Sequence, residues 1–163
     1  MPSLPLSATS RPTRLAFLVG GSEGIGAALA AHLVAEGADV VALSRSADKL
    51  SAAAAHLEGH RRTPAQRILT RPLDITDGAA TRQTIDALVA ELGTPDLVVD
   101  TAGYSRPGWL AELPDEHVRG MVEVNLLGTI HVCRAVLPHL VAAGRGTIVT
   151  TSSMAGLTGI FGQ

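Results

Sequence analysis

The sequence predicts an α/β fold in which a parallel sheet carries helices on both faces. Short apolar runs rich in Val, Leu and Ile alternate along the chain with longer Ala-rich segments of helical character. Right-handed crossovers between such strands produce a doubly wound sheet. Apolar residues make up 46% of the 163 residues and charged residues only 17%, as expected for strands buried on both faces. The length suits a single domain.

The first crossover is the most informative stretch of the chain. The apolar strand Leu15–Val19 runs into a glycine cluster at residues 20–26, which opens directly into a helix that ends at Gly37. Glycines let the backbone turn tightly and approach a ligand, and free N–H groups at a helix start attract anionic oxygens. This layout predicts a Rossmann-like phosphate-binding turn that contacts its ligand through Gly20, Ser22, Glu23, Gly24, Ile25 and Gly26.

The remaining elements follow at regular spacing. A helix capped by Ser46 is predicted to run to about Leu57, and another closes at Gly93. A later helix is predicted to break near Gly128 and to resume to about Ala143. Four further strands are predicted at residues 38–43, 67–73, 97–99 and 147–151.

Composition excludes several classes of function. The net charge of −2 leaves no electrostatic footprint for nucleic acid. Cys133 is the only cysteine, so no intrachain disulfide forms and a cytoplasmic location is expected. No apolar run approaches the ~18 residues that a membrane span needs, so none is predicted. His56 and His60 are four residues apart without a third ligand nearby, and no metal site is predicted.

The end of the second strand points to a dinucleotide with a 2′-phosphate. Arg45 follows this strand and Lys49 lies one helical turn later, where a carboxylate would otherwise hold the ribose 2′-hydroxyl. These two cations favour NADP(H) over NAD(H). Glu23 argues the other way, since its charge would lie near that phosphate, and a solvated helix start is the alternative interpretation of both cations.

Two further strand ends complete the predicted cofactor site. Asp74 can accept a hydrogen bond from an adenine amino group, with Ile75 against the ring, although a turn or capping role is the alternative for Asp74. After the fourth strand, Ala102 and Gly103 are small enough to let a ribose or nicotinamide ring come close.

Four motifs stand in order along residues 14–163. Their order and spacing resemble the short-chain dehydrogenase/reductase family, whose patterns are Thr-Gly-x-x-x-Gly-x-Gly, Asn-Asn-Ala-Gly, Asn-x-x-Gly and Ser-Ser. Val19 stands where Thr is usual, and Asp100 and Thr101 depart from the Asn-Asn pair. The matching motifs are Gly20-x-x-x-Gly24-x-Gly26, Asp100-Thr101-Ala102-Gly103, Asn125-x-x-Gly128 and Ser152-Ser153.

The resemblance implies an oxidoreductase that transfers hydride between a carbonyl and an alcohol on a small molecule. By this resemblance Asp74 binds adenine, Ser153 hydrogen-bonds the substrate carbonyl and Asn125 holds a water of the proton relay. Within the family the chain looks most like 3-ketodihydrosphingosine reductases, which share Gly-x-Ser-x-Gly, Arg-x-x-x-Lys and a tail like Gly159-Ile160-Phe161-Gly162.

One motif of the family, the catalytic Tyr-x-x-x-Lys, is absent from these 163 residues. The family's catalytic Tyr-x-x-x-Lys lies shortly after the Ser, whereas the ten residues after Ser153 contain neither Tyr nor Lys. We therefore expect residues 14–163 to form an NAD(P)-binding domain that is incomplete at its C-terminus and inactive alone. Residues 1–13, which are rich in Pro, Ser and Thr, are expected to form a flexible leader. The full-length parent of the domain is expected to be a homo-oligomer.

Two other classes of function stay open. The first is a nucleotide-binding module without catalysis, for which the missing Tyr and Lys are irrelevant. The second is an α/β-hydrolase, because Gly-x-Ser22-x-Gly also matches a nucleophile elbow. The glycine turn follows the first strand, however, so no earlier strand–helix loop is present to supply an oxyanion hole.

Overall fold

The computed structural model describes residues 14–158 and has a five-stranded, all-parallel sheet in the order β3-β2-β1-β4-β5. The predicted doubly wound α/β fold is confirmed. The predicted leader and the tail motif at 159–162 lie outside the described residues. In chain order the elements are β1 Leu15–Val19, α1 Gly24–Ala35, β2 Asp39–Ser44, α2 Ala47–Glu58, β3 Ile68–Pro72, α3 Gly78–Leu92, β4 Leu97–Asp100, α4 Asp115–Val122, a π-helical turn Glu123–Gly128, α5 Thr129–Ala143, β5 Thr147–Thr150 and a 3₁₀ turn Met154–Gly156.

Apolar side chains cover both faces of the sheet. Alternate residues of each strand point to opposite faces, so Phe17 packs with α3 and α5 while Leu18 packs with α1 and α2. Both side chains are fully buried. Burial on both faces explains why the strands read as continuous apolar runs.

Local capping places the helix starts close to their predicted positions. The Ser46 hydroxyl accepts from the N–H of Lys49 at 3.3 Å and caps α2, as the sequence indicated. Asp77 caps α3 by accepting from Ala79 and Ala80. The strand boundaries differ from the predicted ones by at most one residue at each end, which is within the usual uncertainty at element ends.

The predicted break near Gly128 is wrong. The chain stays helical from Asp115 to Ala143, and residues 123–128 adopt a π-helical turn instead of an interruption. This 29-residue stretch meets the length and hydropathy criteria of a membrane span, but one such helix is weak evidence of a span. Core helices of soluble proteins pass the same test, and five of its apolar side chains lie buried against the sheet and α3: Val124, Val132, Ala135, Val136 and Leu140.

A buried amide that the sequence did not single out ties the loop before β3 to α1. The Gln66 Nε2 group donates to the carbonyls of Val34 and Ala38 at 2.8 and 3.0 Å. Its Oε1 atom accepts from the N–H groups of Arg62 and Thr63 at 2.7 Å. All hydrogen-bonding groups of this side chain are therefore satisfied inside the protein.

Gln66→Leu is expected to lower the free energy of unfolding by about 3 kcal/mol, because it removes four hydrogen bonds of a buried amide, two of them to the buried carbonyls of Val34 and Ala38. Chemical denaturation measures the effect. Gln83→Leu, on the exposed face of α3, is the matched control and should change stability by less than about 0.5 kcal/mol. Equal effects of the two substitutions would contradict a structural role for the Gln66 amide.

Candidate functional site

A cavity of about 560 Å³ opens at the carboxyl ends of β1, β2, β3 and β4. Ligands of open α/β sheets bind at this edge, where the strand order reverses. All twelve residues predicted to contact a cofactor line this one cavity: Gly20, Ser22, Glu23, Gly24, Ile25, Gly26, Arg45, Lys49, Asp74, Ile75, Ala102 and Gly103. Six lining residues were not predicted: Val19, Ser44, Ser46, Leu73, Thr101 and Val124.

The glycine turn is shaped by two different constraints. Gly20 has φ +78°, and a Cβ added there would lie 2.7 Å from the backbone nitrogen of Ala102. Gly24 has φ +56° and no protein atom within 4 Å of an added Cβ. The space beside Gly24 is therefore open, whereas that beside Gly20 is filled by the end of β4.

The N-terminus of α1 faces this cavity without a cap. Glu23 occupies the N-cap position, but its side chain makes no capping hydrogen bond. Ser46 and Asp77, in contrast, cap α2 and α3. The first N–H groups of α1 and its helix dipole are thus left to attract an anion.

The carboxylate of Glu23 is instead paired with a cation across the cavity mouth. Lys49 Nζ lies 2.8 Å from the Glu23 carboxylate, and both side chains are more than half exposed. Such a pair contributes at most about 1 kcal/mol, since water screens it. Arg45 makes no ion pair within the described residues and lies near Asp74.

Asp74 is held by its own turn. One carboxylate oxygen accepts from both the N–H and the hydroxyl of Thr76, at 3.0 and 2.8 Å. Burial would raise the pKa of the Asp74 carboxyl, but the bonds from Thr76 and the charge of Arg45 outweigh it and lower that pKa. Asp74 also lines the cavity, so the predicted adenine contact is compatible with its turn role.

The end of β4 carries a buried carboxyl group. Asp100 is 2% exposed, and its Oδ2 atom has no hydrogen-bond partner among the described residues. Its Oδ1 atom accepts from the N–H of Ala102 at 3.0 Å. Burial raises the pKa of Asp100, and the interactions with Ala102 and Thr129 offset only part of that effect. Burial, followed by the charge of Asp100, also raises the pKa of the Cys133 thiol.

The two residues predicted to be catalytic do not line the cavity. Asn125 lies in the π-helical turn, where its amide accepts from the N–H of Tyr104 and donates to the carbonyl of Tyr104, both at 2.8 Å. Ser153 is exposed, and its hydroxyl accepts from the N–H of Ala155 at 3.2 Å. The side chain of Asn125 thus anchors the loop after β4.

One polar pair beside Asn125 escaped the sequence analysis. The hydroxyl of Tyr104 lies 2.7 Å from Nδ1 of His117, which joins the loop after β4 to α4. The separation of 13 residues across an irregular loop carries no periodic signal, so sequence patterns could not have found this contact.

The hydrolase alternative gains no geometric support. Ser22 makes no hydrogen bond to a histidine within residues 14–158, so it lacks the base that a nucleophile elbow requires. His56 and His60 lie ring to ring at 4.7 Å. In the described part of the chain, no group of three His, Cys, Asp or Glu side chains is arranged to hold a metal.

Comparison with known proteins identifies relatives along almost the whole chain. A family model described as short chain dehydrogenase matches residues 14–163. An uncharacterized oxidoreductase of Myxococcus xanthus is 37% identical over 150 residues, which are 92% of this chain and 58% of that protein. The chain thus spans somewhat more than half the length of this relative.

Solved structures agree with the fold. NAD⁺-bound xylitol dehydrogenase superposes with a TM-score of 0.85 at 26% identity, over 91% of this chain and 56% of that one. An actinorhodin polyketide ketoreductase variant with NADPH superposes with a TM-score of 0.84 at 28% identity, over 92% and 57%. Proteins similar to this chain therefore bind either nicotinamide dinucleotide.

Asp100→Asn is expected to raise the melting temperature at pH 7 and to flatten its dependence on pH. A carboxyl whose pKa is higher in the folded than in the unfolded state stabilises the fold below its unfolded pKa and loses that contribution as the pH rises. Thermal melts from pH 4 to 8 measure this, and the difference between the two proteins should shrink toward pH 4. A difference in melting temperature between the two proteins that does not change with pH would contradict a raised pKa of Asp100 in the folded protein.

Proposed function

The chain belongs to the short chain dehydrogenase family, and on that premise we propose that residues 14–163 form the NADP(H)-binding domain of an oxidoreductase. The protein would transfer hydride between a carbonyl and an alcohol on a small-molecule substrate. The observation that carries this proposal is the convergence of twelve predicted contact residues, from four strand ends, on one cavity of about 560 Å³.

The residues present fit a dinucleotide. The uncapped start of α1 supplies N–H groups for a pyrophosphate. The open space beside Gly24 lets the backbone come close to it, since no protein atom lies within 4 Å of an added Cβ. Ile75 provides an apolar wall for an adenine ring, and Ala102 and Gly103 leave room at the far end of the cavity.

The choice of NADP(H) rests on charge. Arg45 lines the cavity without a salt bridge among the described residues, and Lys49 joins it from the first turn of α2. Two cations suit a 2′-phosphate, whereas neither Leu43 nor Ser44 at the end of β2 is a carboxylate that could hold a 2′-hydroxyl. Glu23 opposes this preference in part, because it neutralises Lys49 in the present arrangement.

The bound nicotinamide would supply or accept the hydride. Ser153 would orient the substrate carbonyl, and Asn125 would hold the loop after β4 in place through its two bonds to Tyr104. The sole tyrosine, Tyr104, is engaged with His117, and the sole lysine, Lys49, with Glu23. Neither is placed for the proton transfer that the family's Tyr-x-x-x-Lys performs.

Because Tyr104 is bonded to His117 and Lys49 is paired with Glu23, neither is available for proton transfer. This favours one alternative, a nucleotide-binding module without turnover. We keep it as the second candidate. A 3-keto lipid similar to 3-ketodihydrosphingosine is the substrate class we propose, on the Gly-x-Ser-x-Gly and Arg-x-x-x-Lys motifs. A cytoplasmic location and a homo-oligomeric state of the whole protein stay predictions.

Cofactor preference tests the charge argument directly. Calorimetric titration should show tighter binding of NADP(H) than of NAD(H), and Arg45→Ala should lower NADP(H) affinity by about tenfold, the effect of one charge-assisted bond. Glu23→Gln should raise NADP(H) affinity, because it frees Lys49. Arg119→Ala, on α4 and outside the cavity, is the control. An Arg45→Ala protein that keeps its full preference would refute the assignment.

Gly24→Val should abolish cofactor binding, because its side chain enters the space intended for the pyrophosphate. Gly144→Val is the matched control: Gly144 also has positive φ and open surroundings, but lies at the end of α5 away from the cavity. Both substitutions strain the backbone similarly, as circular dichroism melts should show. Cofactor binding by the Gly24→Val protein would place the phosphate site elsewhere.

Turnover separates the two candidate functions. The 163-residue chain is expected to bind NADP(H) but to leave NADPH absorbance unchanged with a panel of ketones. A chain extended by the sequence that follows in its reading frame should gain activity if that sequence supplies Tyr-x-x-x-Lys. Ser153→Ala in the extended protein should then reduce kcat by orders of magnitude and spare cofactor affinity. An extension without that motif, and without activity, would favour the binding module.

A further inference from the structure

A second cavity, of about 270 Å³, lies between α3 and α5 and is separate from the cofactor site. Its lining is formed by Gly78, Ala79, Arg82, His131, Arg134 and Ala135. None of these residues lines the first cavity. Three of them are Gly or Ala, so no large apolar side chain fills the space between the two helices at this level.

The cavity carries two guanidinium groups without partner charges. Neither Arg82 nor Arg134 forms a salt bridge or a hydrogen bond in the region from residue 14 to residue 158. The carboxylates closest in sequence on α3 are engaged elsewhere: Asp77 caps the helix, and Asp86 binds Nε2 of His139 at 2.7 Å. The two arginines therefore bring two positive charges to the cavity, while the carboxylate of Asp77 lies beside its wall at the N-cap of α3.

His131 adds a polar group in a defined orientation. Its Nδ1 atom lies 2.8 Å from the carbonyl oxygen of Ile75, and because a carbonyl only accepts, Nδ1 carries the hydrogen. Nε2 is then the free nitrogen of the ring, and it lies about 3.0 Å from the position of a Cβ on Gly78. This nitrogen is the ring atom that remains available to a ligand in the cavity.

From this arrangement we infer that the cavity between α3 and α5 binds a small oxyanion of the phosphate class through Arg82, Arg134 and His131. Guanidinium groups bind phosphate oxygens with paired, charge-assisted hydrogen bonds. A doubly charged ion matches two cations better than a carboxylate does. The shared chemistry fits either free phosphate or a phosphate ester.

The inference is tested by titrating the 163-residue chain with inorganic phosphate at constant ionic strength. The Nε–Hε signals of Arg82 and Arg134 and the ring signals of His131 are followed by NMR. Saturable shifts of these signals are expected. Arg82→Gln and Arg134→Gln should each weaken the binding about tenfold, while Arg119→Gln, which also removes one positive charge but lies on α4, should not.

Comparison ligands identify the source of the phosphate group. Methyl phosphate that binds as tightly as inorganic phosphate would support an ester as the occupant, and tighter binding of inorganic phosphate would support the free ion. Phosphate binding that leaves the signals of Arg82 and Arg134 unmoved, as binding at the glycine turn alone would, also overturns the inference. The inference is overturned by shifts that never saturate, by equal weakening in the Arg119→Gln protein, or by acetate that binds as tightly as phosphate. Melting temperatures of all variants verify that each remains folded.

Discussion

The close contact between the ends of β1 and β4 is the constraint on which the whole site depends. The carbonyl oxygen of Val19 accepts from both the N–H and the hydroxyl of Thr101, each at 2.9 Å. Gly20 follows at a distance where any Cβ would collide with the backbone of Ala102, and Gly26 lies against the carbonyl of Gly20. Because Gly20 and Gly26 carry no side chain, the glycine turn packs closely against Thr101 and Ala102, and the uncapped start of α1 lies at the cavity.

A second close contact links the turn after β3 to the helical stretch Asp115–Ala143. A Cβ on Gly128, the last residue of the π-helical turn, would lie 2.6 Å from the side chain of Ile75. The carbonyl of Ile75 accepts a hydrogen bond from His131, which lines the second cavity. Ile75 therefore forms a wall of the first cavity with its side chain and orients a residue of the second with its backbone. The two proposed anion sites are structurally adjacent although they share no lining residue.

The departures from the family's Asn-Asn pair have distinct physical consequences. Thr101 retains a side-chain donor, and its hydroxyl reinforces the contact with Val19. Asp100 places a carboxyl group in the core with one oxygen unsatisfied, so its neutral form is favoured there. The Thr101 hydroxyl thus contributes to the contact between β1 and β4, whereas burial raises the pKa of the Asp100 carboxyl beside it.

The sequence by itself determined the order of the elements, the parallel sheet and the set of residues at the strand ends. Continuous apolar runs, glycines after Val19 and the capping residue Ser46 act within a few positions of the chain, and parallel strands bring their carboxyl ends to one edge whatever the loops do. Tertiary structure alone decided the partners of individual side chains. Lys49 forms an ion pair with Glu23, Asn125 forms hydrogen bonds with the backbone of Tyr104, and Arg134 lines the same cavity as Arg82. The helix also continued through Gly128 because a π-helical turn satisfied the backbone where the sequence indicated a break. These outcomes depend on packing between segments far apart in the chain, and no local pattern of residues encodes them.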